Sequence, residues 1–251
     1  MHIQSQAPFL ESVYIVPERI PDATRYPFNL PCIPNFHLDV DSPITFLVGE
    51  NGSGKSTILE AIVDLCGYAI IGGGKADAGG GSESSELVHA LRPRFRRKPK
   101  DGFFFRAETL FDFANTLDAR AKDPYFGSVA YRRYGGNSLH ARSHGESFLD
   151  VFQHRIHEGL FLLDEPEAAL SPQRQLALLC LLADRIQRGN TQFIIATHSP
   201  ILLTFPGARI INFEDPELRQ ISLEETSHYQ ITKGILNDSN TYWNHLLEKE
   251  G

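Results

Sequence analysis

Residues Gly49–Thr57 read GENGSGKST, and the fold is decided here. The stretch fits G-x-x-x-x-G-K-[ST] and stands in the context that pattern requires. Before it runs ITFLVG (44–49), a continuous apolar, β-rich segment suited to a strand buried on both faces. After it, KSTILEAIVDLCGYAI (55–70) places Ile58, Leu59, Ile62, Val63 and Leu65 at helical spacing. Glycines between a strand and a helix let the backbone fold around phosphate, with the N–H groups of residues 52–56 turned inward. The helix N-terminus adds a positive dipole end. The expected contact set runs Asn51, Gly52, Ser53, Gly54, Lys55, Ser56 and Thr57. Lys55 is expected to reach the β- and γ-phosphates, and Ser56 to place its hydroxyl on Mg2+. The motif indicates a nucleoside triphosphate without naming a family.

GLFLLDEP (159–166) and TQFIIATHSP (191–200) are two more apolar runs that read as buried strands. Parallel sheets bind ligands at the carboxyl ends of their strands, so the residues closing these runs should face the phosphate loop. They are Asp164 and Glu165 in one case and His198 in the other. Asp164 suits a Mg2+ holder, Glu165 a base for the attacking water, and His198 a partner of the γ-phosphate or that water. Glu167 reads as structural.

PQRQLALLCLLADRIQRG (172–189) opens with Pro and closes on Gly like a helix. GFFFRAETLFDFANTLDAR (102–120) reads as a strand and then a helix, and another helix begins near Ser147. SVYIV (12–16), FHLDV (36–40), ARIINF (208–213) and RQISLEE (219–225) read as shorter strands, and the tail from Ser239 as a short helix. Alternating strands and helices imply an α/β fold: a mostly parallel sheet flanked by helices, with an N-terminal antiparallel β portion. Residues 1–251 form one expected domain, with about 72–145 as a helical insert carrying a Gly-rich loop.

Composition narrows the function. Apolar residues make up 41% and charged residues 22% of 251, which is ordinary for a globular chain. A net charge of −7 excludes wholesale electrostatic binding of nucleic acid, so any such contact needs a local patch. Cys32, Cys66 and Cys180 are odd in number and widely spaced, without metal-site spacing. No signal-peptide pattern opens the chain, and LALLCLLA (176–183) is too short to cross a bilayer. A soluble, cytoplasmic protein is expected.

One more stretch, RSHGES (142–147), precedes the LLDEPE segment. The order GENGSGKST, RSHGES, LLDEPEAALSP, ATHSP resembles the ABC-type ATPase domain over roughly residues 36–205. It looks most like the small stand-alone ATPases of the RecF-like branch. The resemblance implies an ATP and Mg2+ site closed across a homodimer. Ser143 and the N–H of Gly145 would then touch the γ-phosphate held by the partner. His144 and Glu146 replace the usual Gly and Gln of the signature. Ser143 and Glu146 also fit a helix capping box. In the same family Ser171 of ALSP would line the interface, and Glu108 is the nearest candidate for the glutamine that senses Mg2+. An aromatic is expected against adenine, with Tyr14, Tyr26 and Phe28 available.

The interval between Lys55 and Ser143 has neither room nor heptads for a long coiled coil, which excludes a coiled-coil DNA tether. RPRFRRKPK (92–100) is a basic run, read either as a nucleic-acid backbone contact or as a solvated or acid-paired hairpin. Three functions stay open. One is an ATPase driving a conformational change in an unknown, DNA-linked or defence-related protein partner. Another is the nucleotide-binding subunit of a membrane transporter, against which the signature counts. The last is a slow nucleotide-gated sensor.

Overall fold

The computed structural model describes residues 7–68, 86–123, 127–132, 134, 136, 138–141 and 144–248. Within these, strands β1 (Leu10–Ile15), β2 (His37–Asp39) and β3 (Ile44–Val48) lead to helix α1 (Lys55–Cys66). Next come α2 (Glu86–Ala90), β4 (Leu91–Phe95), β5 (Gly102–Arg106), α3 (Leu110–Lys122) and α4 (His144–Arg155). Then follow β6 (Gly159–Asp164), α5 (Pro172–Gln187), β7 (Thr191–Ala196), β8 (Arg209–Asn212), β9 (Arg219–Ile221), α6 (Ser227–Asn237) and α7 (Ser239–Glu248).

The main sheet has the order β5-β6-β7-β3-β8-β9, parallel except for β9. A second sheet, β2-β1-β4, is antiparallel. The expected α/β architecture is therefore present, and the antiparallel portion also draws in β4 from the middle of the chain. Strand β5 falls inside the stretch expected as an insert. It is instead the edge strand of the main sheet, because its Phe103–Phe105 run is buried on both faces beside β6.

The strand sequences explain the layering. Every residue of β3, β6 and β7 is buried, and alternate side chains enter different cores. Leu47, Leu160, Leu162 and Ile194 meet α1 and the small sheet. Phe46, Phe161, Leu163, Phe193 and Ile195 meet α3, α4 and α5. Period-two alternation between two apolar faces is why these strands read as unbroken hydrophobic runs. Fully burying one such Leu or Phe contributes about 1.5–3 kcal/mol.

The start of α4 and the presence of α6 depart from expectation. Helix α4 starts at His144, three residues before the expected start near Ser147, so Gly145 and Glu146 lie in its first turn. An acid is favourable there against the helix dipole. Helix α6 was not expected. Thr226, 2% exposed, caps it by accepting from the Tyr229 N–H. Of the described helices, none is long and apolar enough to cross a membrane.

Candidate functional site

The parallel register sets the site. Arg106 pairs with Asp164, Asp164 with Ala196, and Ala196 with Leu47, so four strands end at one level. Beyond that edge lie the phosphate loop after β3, Glu165 after β6, and His198 after β7. A cleft of ≈520 Å3 opens there. Its walls include loop residues Asn51, Gly52 and Gly54–Thr57, together with Tyr26, Leu30, Glu108, Glu165 and His198.

Glycine is required at two loop positions. Gly49 has φ +147°, and a Cβ there would meet the Phe213 Cβ at 3.1 Å. Gly54, the residue before α1, has φ +101° with Leu30 Cδ1 3.1 Å from a Cβ position. Both conformations favour glycine over any L side chain. The turn they build brings Lys55 back over the loop, where its Nζ donates to the carbonyls of Gly49 (2.7 Å) and Glu50 (3.0 Å). Burial pulls the Lys55 ammonium below its ordinary range, opposed by the charges of Glu165 and Asp164.

Ser56 Oγ donates to Asp164 Oδ1 at 3.1 Å, joining the first turn of α1 to the end of β6. Arg106 grips the other oxygen of Asp164 through Nε (2.8 Å) and Nη2 (2.6 Å), and its Nη1 reaches Glu60 at 2.6 Å. Burial works against the Arg106 cation, but Asp164 and Glu60 more than offset it.

Glu165 has φ 46°, a left-handed conformation held by no other described non-glycine residue. Such conformations cost about 1–3 kcal/mol and gather at functional sites. Its Oε1 lies 3.4 Å from His198 Nε2. Glu167 points elsewhere, accepting the His198 backbone N–H at 2.6 Å, and burial raises its carboxyl above the usual range. His198 Nδ1 lies 2.8 Å from His228 Nε2 on α6. Burial, helped by Lys55 and His228, holds the His198 imidazole below its ordinary pKa. Three buried polar atoms of this region, Ser53 Oγ, Glu167 Oε2 and His198 Nε2, have no hydrogen-bond partner among the described residues.

The remaining candidates disperse. Ser143 and the Gly-rich loop at 72–82 lie outside the described residues. Gly145 and Glu146 stand in the first turn of α4. Ser171 caps α5 by accepting the Arg174 N–H. Tyr26 lines the cleft, its hydroxyl 2.8 Å from Thr57 Oγ1, whereas Phe28 is buried in the core and Tyr14 stacks with His37 on the small sheet. Arg94 and Arg96 of the basic run pair with Glu11, and no residue of that run is among the cleft's described walls.

Sequence reasoning missed Arg106 and His228. A lone cation closing the aromatic run of β5 was the available signal for Arg106. His228 carried none, because its contact is made across 30 residues by a helix whose position the sequence does not state.

The residues fit a Mg·nucleotide. The loop offers glycine-shaped backbone, an ammonium and a helix N-terminus for phosphate, and the Ser56–Asp164 pair offers hard oxygens for Mg2+.

Comparison with known proteins agrees in kind. A family model described as "AAA domain" matches residues 29–109. A second, described as "AAA domain, putative AbiEii toxin, Type IV TA system", matches residues 147–204. Among solved structures, an SMC head bound to the C-winged helix domain of ScpA aligns with TM-score 0.50 at 13% identity. That alignment covers 87% of this chain and 99% of the other. The cbiO1 protein of Clostridium perfringens, part of the cbiONQ ABC transporter complex, aligns with TM-score 0.46 at 17% identity, covering 85% and 91%. The SMC-head likeness is one of fold. No curated protein matches the chain.

Proposed function

We infer that this chain, an ABC-type P-loop ATPase, hydrolyses ATP to ADP and phosphate inside a homodimer that closes on the nucleotide. The observation that carries the reading is the common level of Arg106, Asp164 and Ala196 at the sheet edge. It brings a phosphate loop, Glu165 and His198 around one cleft, with Asp164 behind Ser56 at its edge.

The roles follow from position. Residues 51–57 cradle the phosphates, and Lys55, now bonded to two loop carbonyls, has an ammonium free to exchange them for phosphate oxygens. Ser56 and Asp164 would hold Mg2+, which supplies charge neutralisation at the β- and γ-phosphates. Glu165 accepts the proton of the attacking water as the water oxygen bonds to the γ-phosphorus. The bond from that phosphorus to the β–γ bridging oxygen breaks, and ADP leaves. His198 Nε2 faces the same side as Glu165 and is free to donate to the γ-phosphate or the water. Tyr26 is the aromatic positioned against the cleft and takes the adenine role.

Gly145 and Glu146 stand in the first turn of α4, and the resemblance to the ABC-type ATPase domain supports a site completed by the Ser143–Glu146 segment of a second copy. ATP then joins the copies, hydrolysis releases them, and the motion is passed to an unknown, DNA-linked or defence-related partner. The pairing of Arg94 and Arg96 with Glu11 argues for the acid-paired reading of the basic run.

The test is steady-state ATP hydrolysis against protein concentration, with and without double-stranded DNA at low salt. A rate per molecule that rises with concentration supports the dimer. A concentration-independent rate overturns it, and a further rise with DNA returns the basic run to a nucleic-acid role.

A further inference from the structure

Helix α6 is the C-terminal element nearest the chemistry, yet nothing in the site described so far needs it. Its second residue, His228, places Nε2 2.8 Å from His198 Nδ1, with ring centroids 4.9 Å apart. The helix start is fixed independently. Thr226 caps α6, and a capping box between Ser222 and Glu225 fixes the turn before it. Ser227 Oγ donates to Glu214 Oε1 at 3.1 Å, and His228 Nδ1 lies 3.5 Å from the Ser227 Oγ. The ring is therefore presented to His198 by a defined piece of structure.

Two imidazoles in contact nitrogen to nitrogen share one proton, so one donates and the other accepts. If His198 Nδ1 donated, its Nε2 would carry a bare lone pair. That nitrogen is buried and stands 3.4 Å from the Glu165 carboxylate, where lone pair would face anion. If His228 Nε2 donates, His198 Nδ1 accepts and His198 Nε2 carries its proton toward Glu165 and the cleft. Electrostatics favours this second arrangement. It also holds for either charge state of His228, since Nε2–H is present in both the neutral Nε2–H tautomer and the imidazolium.

We propose that His228 is the positioning residue of His198: its Nε2–H, donated to His198 Nδ1, fixes the tautomer in which His198 Nε2 is a hydrogen-bond donor into the cleft. The proposal rests on the ATPase reading for its effect on rate, but not for the tautomer itself. A histidine's second nitrogen sets what its first can do, and partners that orient a functional imidazole are worth about 10–100-fold where measured at metal sites.

Two variants separate positioning from packing. His228→Gln keeps an N–H donor at about the place of Nε2 but fills the ring space poorly. His228→Phe fills the ring space and donates nothing. The first measurement is the 15N spectrum of histidine-labelled, nucleotide-free protein, which reads the tautomer of each ring, with His198 identified by loss of its signals in His198→Asn. The expected result is His198 protonated at Nε2 in wild type and in H228Q, with that preference lost in H228F. The second measurement is ATP turnover. H228F should fall by about 10–100-fold in kcat with ATP affinity unchanged, and H228Q should retain most of the rate. Wild-type His198 protonated at Nδ1 would overturn the proposal, as would H228F turning over at least as well as H228Q. If wild type shows the expected tautomer but neither binds nor hydrolyses ATP, the ATPase reading fails and the positioning of His198 by His228 stands.

Discussion

Arg106 holds Asp164 by two N–H bonds to one carboxylate oxygen while Ser56 holds the other oxygen. The Asp164 side chain is only 4% exposed, so it has little water to fall back on. Two strands and a helix thus meet at one buried carboxylate, and the cation is structural support for the group assigned to Mg2+.

Arg106→Ala strands that charge. Removing one partner of a buried pair is strongly destabilising, at about 3 kcal/mol or more. Urea unfolding should show the loss as a lower midpoint without a change in slope. Arg106→Lys should recover part of it, since a point charge replaces a two-pronged fork. Mg2+ with ADP should stabilise R106A more than wild type, because it brings a cation to the orphaned Asp164. An R106A midpoint equal to wild type would mean that Arg106 carries no weight in the site.

Lys55→Ala removes the ammonium that the loop folds around. Nucleotide binding should be lost by calorimetry while the fold survives, because the Lys55 contacts are to loop carbonyls and not to the core. Tight ATP binding by this variant would remove the phosphate-loop assignment.

Glu165→Gln keeps the shape and removes the base. ATP should still bind, hydrolysis should fall by about 100-fold or more, in line with loss of a general base, and a dimer should accumulate with ATP in light scattering. A variant that stays monomeric when loaded with ATP would contradict closure between two copies.

The fold was legible where the strands were buried on both faces. ITFLV, GLFLLD and TQFIIA are apolar throughout because each alternates between two cores, and the residue closing each run then had to stand at the ligand edge. This is why Lys55, Ser56, Asp164, Glu165 and His198 could be named as candidates and are found around one cleft or its edge. Residues linked only by tertiary placement were not legible. His228 reaches His198 from a helix with no apolar run to announce it, and Arg106 acquires its partner through the β5–β6 register. Glu108 is the residue nearest in sequence to the place of the family's Mg2+-sensing glutamine. It does line the cleft, but the side chain that touches Asp164 is Arg106, two residues earlier.

Gly54→Ala tests the loop conformation apart from its charges. At φ +101° an L side chain is strained, at a cost of about 1–3 kcal/mol, and the new methyl presses on Leu30. Lower thermal stability together with weaker nucleotide binding is expected, since relieving the strain moves the backbone N–H groups. Unchanged affinity would mean that the loop tolerates a different path.

Acid should destabilise the protein through His198. Burial, Lys55 and His228 hold its pKa below the ordinary histidine value of about 6.5, so the folded state binds fewer protons than the unfolded chain. Stability must then rise with pH in that window. The contribution is complete above about pH 6.5 and is lost as pH falls through the lower folded-state value. Glu167 acts oppositely. Its raised pKa contributes stability below the ordinary carboxylate value that is lost as pH rises through the folded-state value. The raw curve mixes the two, and the difference between wild type and His198→Asn separates them. The bond to Glu167 comes from the backbone N–H of residue 198 and survives the substitution. Urea unfolding at intervals from pH 5 to 8 should show a shallower rise with pH below about 6.5 in H198N than in wild type, with parallel curves above it. Curves parallel throughout would mean that His198 titrates alike folded and unfolded.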